Sequence, residues 1–152
     1  MTETSPYDIE VSHVLPGPPD RAFKAFTDRE LFARWYGPDG FPAAPESVEL
    51  EARVGGLHRF TMVSEADPSF RTGFDGRFTE VVPNELLVST GAWGGIPGQT
   101  DDWESNLRVE LVADGANTRV VILEGPHPPG TADMGRQSWV QMFAKLDSLL
   151  GG

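Results

Sequence analysis

Three histidines are the side chains of this 152-residue chain best suited to acid–base chemistry, because an imidazole titrates near neutral pH. His58 shares one face of a predicted strand with Phe60 and Met62, so it could contact a bound molecule or act as a general base. His13 lies on the inward face of the first predicted strand, and His127 lies in a proline-rich loop where it could rim an entrance. For each histidine the competing interpretation, a hydrogen-bonded or solvated side chain, is the favoured one.

Other catalytic arrangements have little support in the sequence. The histidines show no HxH or HxxxH spacing, so a three-histidine zinc site is not indicated. The chain has no cysteine, which excludes a thiolate metal site, a cysteine nucleophile and a disulfide. It also lacks a G-x-S-x-G nucleophile elbow. We therefore expect no metal and no cofactor.

Neither the carboxylates nor the glycine-rich loop indicates a site. Asp75, Glu80 and Glu104 alternate with apolar residues and are predicted to face water. The acidic pair at 101–102 lies in a loop and is also predicted to be solvated. The glycine-rich run 94–98 lacks a lysine and does not open a helix, so it is a poor phosphate cradle.

The side chains predicted to face the interior are mostly aromatic or methionine, with His58 as a polar member. They are Trp35, Phe41, His58, Phe60, Met62, Phe74, Phe78, Trp93, Trp103, Leu107, Met134, Trp139, Met142 and Phe143. Walls of this kind suit an apolar or aromatic small molecule that is held by shape and oriented by one or two hydrogen bonds. Any one of these residues could simply fill a core. Four tryptophans, however, are hard to bury without gaps, which favours a cavity.

The element expected to organise this interior is a helix over 131–150. Its apolar residues step by three and four along one face: Trp139, Met142, Phe143, Leu146, Leu149 and Leu150. Thr131 is the predicted N-cap, and Gly151 is the predicted stop. A helix with such a stripe needs a broad apolar partner.

A sheet is the predicted partner of this helix. Residues 7–15 alternate as a half-buried strand, and two short helices follow, the second opened by a capping box over 27–30. From residue 48 to 124 the period is two, with hairpin signals such as Gly55-Gly56 and Asp114-Gly115. This order predicts one α+β domain over 1–152, in which a curved antiparallel sheet wraps the last helix and leaves an internal cavity.

Composition excludes several partners. The net charge of −11 repels phosphate backbones, and lysines and arginines do not cluster, so nucleic acid is not expected. We find no signal peptide and no run of about 18 apolar residues, so membrane insertion is not expected. The absence of cysteine suits a reducing compartment, and the predicted location is the cytoplasm.

Several short motifs carry a family resemblance. They are PDRAFKAFTD at 19–28, WYGP at 35–38, GG at 55–56, GRFTEVVPNELL at 76–87, TRV at 118–120 and a last helix centred on Trp139. In this order they resemble the START-like (SRPBCC) superfamily, and within it the branch of the activator of the heat-shock-protein-90 ATPase. The resemblance implies a helix-grip fold with six to seven strands, two short helices after the first strand, and a pocket. The chain departs from it at Ser138, where the family commonly has a glycine directly before the tryptophan.

Three functions follow as alternatives, because the family shares a pocket but no catalytic motif. The first is binding of an apolar or aromatic small molecule, such as a lipid or polyketide, between the last helix and the sheet. The second is a cyclase or hydrolase-like enzyme that uses the same cavity, with His58 or a buried carboxylate as the acid–base group. The third, a co-chaperone, is suggested by the family name alone, and the single domain counts against it. A homodimer also stays open, since exposed aromatic residues and edge strands often pair.

Overall fold

Seven strands and three helices make up the part of the chain that the computed structural model describes, residues 7–94 and 103–151. The strands are β1 (Ile9–Leu15), β2 (Glu49–Leu50), β3 (Leu57–Val63), β4 (Arg71–Val82), β5 (Leu86–Gly94), β6 (Trp103–Asp114) and β7 (Asn117–Gly125). The helices are α1 (Pro19–Thr27), α2 (Arg29–Trp35) and α3 (Ala132–Gly151). A short 3₁₀ turn (Pro45–Ser47) precedes β2.

The strands form one antiparallel sheet in the order β1-β7-β6-β5-β4-β3-β2. Strands β2 to β7 pair with their sequence neighbours, as the hairpin signals predict, and β1 joins the far edge beside β7. The two short helices follow β1, and the long helix comes last. The expected α+β helix-grip fold is confirmed.

The apolar stripe of α3 faces the sheet. Trp139, Met142, Phe143 and Leu146 are all buried, and each large side chain of this kind stabilises the fold by about 1.5–3 kcal/mol. Gly135 brings the start of the helix close to β1, since a Cβ at that position would lie 2.5 Å from Ile9 Cδ1. The helix is therefore packed along its length on the apolar face of the sheet.

Two adjacent glycines shape the middle of the sheet. Gly76 in β4 pairs with Gly91 in β5. A Cβ on Gly76 would lie 2.5 Å from the ring of Phe74, and a Cβ on Gly91 would lie 2.8 Å from the same ring. Glycine at both positions allows the Phe74 ring to lie flat against the backbone of the sheet.

Of the two predicted helix caps, the one at α2 needs correction. Asp28, not Thr27, caps α2: its carboxylate accepts hydrogen bonds from the N–H groups of Glu30 (2.9 Å) and Leu31 (3.1 Å). The extended backbone of Asp28 separates two consecutive helices, and this places its carboxylate at the free N–H groups of the second. Thr131 directly precedes α3, as predicted, and its carbonyl accepts from the Gly135 N–H at 3.2 Å, while its hydroxyl donates to the Pro128 carbonyl at 2.7 Å.

Two element boundaries in the structure also differ from the predicted ones. The strand expected from residue 48 is only two residues long, because the 3₁₀ turn precedes it and a turn at 51–56 follows it. Helix α3 runs through Gly151, the predicted stop. Apart from Gly94, the predicted glycine-rich loop lies outside the described residues, as does the acidic pair at 101–102. No helix among the described residues is long and apolar enough to cross a membrane.

Candidate functional site between the last helix and the sheet

In the part of the chain that the structure describes, two small cavities of about 10 Å³ each lie between the sheet and the helices. The Ser89 cavity is lined by Phe26, Phe32, Tyr36, His58, Phe78, Leu87, Ser89, Leu107, Val109 and Trp139. The Ser105 cavity is lined by Tyr36, His58, Phe60, Phe74, Trp93, Ser105, Asn106, Leu107 and Glu124. Tyr36, His58 and Leu107 line both. A volume of this size holds about one water molecule.

The interior is therefore much tighter than the sequence predicts. The predicted cavity assumes that four tryptophans leave gaps between their side chains. Two of them instead hydrogen-bond inside the protein and are fully buried. The Trp35 N–H donates to the carbonyl of Ala25 at 2.8 Å, and the Trp139 N–H donates to the Glu124 carboxylate at 3.1 Å. Tyr36 fills the centre, with its ring centroid 4.6 Å from that of Phe32 and 4.4 Å from that of Phe60.

The predicted lining residues fall into three groups. Those that line the two cavities are His58, Phe60, Phe74, Phe78, Trp93, Leu107 and Trp139. Those that are buried or partly buried elsewhere in the core are Trp35, Phe41, Met62, Trp103, Met142 and Phe143. The remaining one, Met134, is 70% exposed, so its assignment to the cavity is wrong. It lies in the first turn of α3, off the stripe that Trp139 and Phe143 define.

His58 is an uncharged hydrogen-bonding group at neutral pH. Its side chain is buried, stacks on Phe78 with a centroid distance of 4.8 Å, and places Nδ1 2.8 Å from the hydroxyl of Ser89. Burial lowers its pKa from 6.5 to about 4. His58 thus faces both cavities as expected, but its low pKa makes it a poor general base near neutral pH.

His13 acts away from the cavities. Its Nε2 lies 2.8 Å from Asp147 Oδ2, and its ring stacks on Phe143 at a centroid distance of 5.0 Å. These contacts join β1 to α3. The residue lies on the inward side of β1 as predicted, but half-buried at the edge of the core.

His127 lies between two carboxylates. Its Nδ1 is 2.6 Å from Asp8 Oδ1, its backbone N–H donates to Asp8 Oδ2 at 2.8 Å, and its Nε2 is 3.6 Å from Glu124 Oε1. Burial alone would lower the pKa of His127, but its contacts with the carboxylates of Glu124 and Asp8 raise it above 6.5. Partial burial would raise the pKa of Asp8, but the hydrogen bonds from the ring and the backbone N–H of His127 outweigh it and lower the pKa.

Glu124 is a buried carboxylate that the sequence analysis did not assign to the interior. It is 7% exposed and lines the Ser105 cavity. Its Oε1 accepts the hydrogen bond from Trp139 and faces His127. Burial and the charge of Glu124 together raise the pKa of Tyr36 well above 10. The alternation of Val120, Ile122 and Glu124 along β7 was the signal that could have found it.

Two buried polar atoms have no hydrogen-bond partner among the described residues: the hydroxyl oxygen of Ser105 and the indole nitrogen of Trp103. Ser105 is 1% exposed and lines the cavity named after it. An unpaired buried group of this kind costs about 1–3 kcal/mol. Ser105 therefore marks a position in the interior where a hydrogen-bonding group would be stabilised.

The remaining predictions concern carboxylates and metals. Asp75, Glu80 and Glu104 are exposed, as predicted. Within residues 7–94 and 103–151, no group of three or more His, Asp or Glu side chains is placed to hold a metal ion.

Comparison with known proteins identifies the family. The family described as activator of Hsp90 ATPase homolog 1-like protein matches residues 16–151, nearly the whole of the fold described above. The chain belongs to this family. No curated protein matches the sequence.

Solved structures of other proteins share this fold. A crystal structure of a protein from Chromobacterium violaceum is 26% identical, with a TM-score of 0.82 over 95% of this chain and 97% of that one. The AHSA1 protein from Silicibacter pomeroyi is 18% identical, with a TM-score of 0.76 over 94% and 98%. DynU16, encoded in the dynemicin biosynthetic locus, is 18% identical with a TM-score of 0.70 over 97% of this chain and 48% of its own. These similarities show the fold. The activity has to be argued from the residues of the site.

Proposed function

We propose that this family member binds a small aromatic molecule in the interior between α3 and the sheet. The observation that carries the proposal is the pair of adjoining cavities, whose aromatic walls surround a few converging polar groups, His58, Ser89, Ser105 and Glu124. Apolar walls with a few fixed polar groups are typical of small-molecule sites.

Binding requires the interior to expand, because each cavity holds about one water. Tyr36, His58 and Leu107 line both cavities, so movement of these three side chains would join the two volumes. Tyr36 is the residue placed best to move, since it directly follows α2 and precedes a turn that contains Gly37 and Gly40, both with positive φ. A bound ring would then replace the ring contacts of Tyr36.

The turn after Tyr36 is held onto α3 by three hydrogen bonds, which we call the turn latch, and by an ion pair of 3.9 Å between Lys145 Nζ and Asp39 Oδ1. The Lys145 ammonium donates to the Gly37 carbonyl at 2.7 Å, and the Gly37 N–H lies 3.2 Å from Met142 Sδ. The Asp39 N–H donates to Gln141 Oε1 at 2.9 Å. All three contacts lie between the turn and one side of α3.

A surface groove of about 670 Å³ lies over the turn latch. It is lined by Arg34, Asp39, Val140, Gln141, Ala144, Lys145, Ser148 and Leu149. Because this groove borders the contacts that would have to open, we place the entrance to the interior between α2 and α3.

A screen by thermal shift and native mass spectrometry tests the proposal. The probes are lipids, polyketides and aromatic metabolites. A ligand present at a hundred times its dissociation constant stabilises the folded state by about 2.7 kcal/mol, which raises the melting temperature of a domain this size by about 5–10 °C. A screen in which no compound shifts melting and none stays bound in the mass spectrum would refute the proposal.

A second candidate, an acid–base enzyme acting in the same interior, is favoured by the chain of groups from Glu124 through His127 to Asp8. This chain connects the cavity wall with a carboxylate whose side chain is 39% exposed. It could pass a proton between a bound molecule and solvent. Hydrolysis of p-nitrophenyl acetate offers a first assay, and turnover that survives both Glu124→Gln and His127→Asn would exclude this assignment.

A further inference from the structure

The Ser105 cavity has one polar end and largely aromatic walls. Its other polar lining residues, His58 and Asn106, already hydrogen-bond to the Ser89 hydroxyl and the Gly125 carbonyl. Glu124 and Ser105 form the polar end, on the inward faces of the paired strands β7 and β6. Leu107 is the direct partner of Glu124 in that pairing, and Ser105 lies two residues before it on the same face. Phe60, Phe74 and Trp93 line the cavity from β3, β4 and β5. A bound ring would therefore contact aromatic side chains while one substituent reached the polar end.

The two polar groups have complementary requirements. The Glu124 carboxylate only accepts hydrogen bonds, and Oε1 already accepts one from Trp139. The Ser105 hydroxyl can donate or accept, and it has no partner among the described residues. A single group on the ligand that both donates and accepts would satisfy the carboxylate and the hydroxyl together.

We infer that the ligand is an aromatic compound bearing an uncharged hydroxyl, and that this hydroxyl donates to Glu124 and accepts from Ser105. The inference rests on the proposed function and names the chemical class of its ligand. An ether at the same position cannot donate, so the carboxylate would keep only the hydrogen bond from Trp139. A carboxylate on the ligand would be repelled by Glu124, because like charges in a poorly solvated interior interact strongly.

A pair of matched probes tests the inference: 2-naphthol, which has the hydroxyl, and 2-methoxynaphthalene, which has an ether of similar shape. Dissociation constants are measured by titration calorimetry for the wild type and for Glu124→Gln and Ser105→Ala. Glu80→Gln serves as the control, since it removes an exposed carboxylate from β4. The wild type and the control should bind 2-naphthol at least about tenfold more tightly than the ether, because hydrogen bonds to charged groups are the strong ones.

Glu124→Gln and Ser105→Ala should each reduce the preference for 2-naphthol over the ether to below about threefold. Equal affinity of the wild type for the two probes would overturn the inference and leave binding itself intact. A preference that neither Glu124→Gln nor Ser105→Ala changes would overturn the assignment of the two residues. Should one variant fail to fold, the other decides. Failure of both probes, together with a negative ligand screen, would refute the proposed function as well as the inference.

Discussion

Trp139 in α3 and Glu124 in β7 are joined by a buried hydrogen bond of 3.1 Å from the indole N–H to Oε1. The bond connects the middle of the long helix to the sheet, and it fixes the carboxylate that lines the Ser105 cavity. Helix position and cavity chemistry therefore depend on the same contact.

Replacing Trp139 by Phe should destabilise the fold by at least about 2 kcal/mol, because the buried carboxylate loses a donor. Trp35→Phe is the matched control: Trp35 is equally buried, but its N–H donates to the neutral carbonyl of Ala25. Urea unfolding should show Trp139→Phe to be more destabilising than the control by about 1 kcal/mol, since hydrogen bonds to charged groups are stronger. An equal or smaller effect at Trp139 would contradict this account.

His58 should make the fold sensitive to acid. Its pKa is about 4 in the folded chain and 6.5 when unfolded, so the unfolded state binds a proton first as the pH falls. The stability that the neutral, buried imidazole contributes is therefore present above pH 6.5 and is lost as the pH falls towards 4, by about 3 kcal/mol. Unfolding measured from pH 7 to 4 should show the wild type losing this much relative to His58→Gln. Parallel curves would contradict the prediction.

His127 should have the opposite pH dependence, because its folded pKa is raised. Its contribution is fully present below pH 6.5 and is lost as the pH rises through the folded pKa. The stability difference between the wild type and His127→Gln should therefore shrink as the pH is raised from 6 to 9, as measured by chemical denaturation. Arg119→Gln, an exposed change on β7, is the control and should show no such trend. A constant difference would mean that the contacts with Asp8 and Glu124 do not stabilise the charged form.

Weakening the turn latch should speed ligand entry. Lys145→Met removes the hydrogen bond to the Gly37 carbonyl and keeps the length of the side chain. The association rate of a ligand found in the screen, followed by tryptophan fluorescence in stopped flow, should rise about fivefold, because loss of one such bond removes about 1 kcal/mol from the cost of opening. Lys24→Met, an exposed change on α1, should leave the rate unchanged. An unaltered rate in Lys145→Met would place the entrance elsewhere.

A larger residue at position 107 should block binding. Leu107 lines both cavities, so Leu107→Phe fills volume that a ligand needs. The overpacked core should lose about 1–3 kcal/mol of stability, and the thermal shift caused by a ligand should disappear. Val112→Phe, an exposed change on the same strand, should keep the shift. Undiminished binding by Leu107→Phe would show that the ligand lies outside these two cavities.

The sequence predicted the fold closely because periodicity reports which side of an element is buried. Steps of three and four placed Trp139, Met142, Phe143 and Leu146 on the buried face of α3, and alternation placed Phe60 and Phe74 inward. Periodicity also shows why Met134 was misassigned, since it lies off the stripe that the other α3 residues define.

The interior volume could not be predicted in the same way. Whether rings leave space or interlock depends on their mutual orientation, and no spacing encodes the fit of Tyr36 between Phe32 and Phe60. The partners of Glu124 were equally hidden, because Trp139 and His127 reach it from different elements. The sequence signal for the burial of Glu124 was its place in the alternation of β7.

The glycine pair at 76 and 91 sets the depth of this interior without touching whatever enters it. A Cβ at either position would lie 2.5–2.8 Å from the Phe74 ring and 2.5–2.7 Å from backbone atoms of the paired strand, so both the ring and the two strands would have to shift. A methyl group at either position would therefore change the shape of the cavity that Phe74 lines. Substitution of a glycine in β4 or β5 would in this way alter which ligands the protein binds, although every residue that contacts the ligand stayed the same.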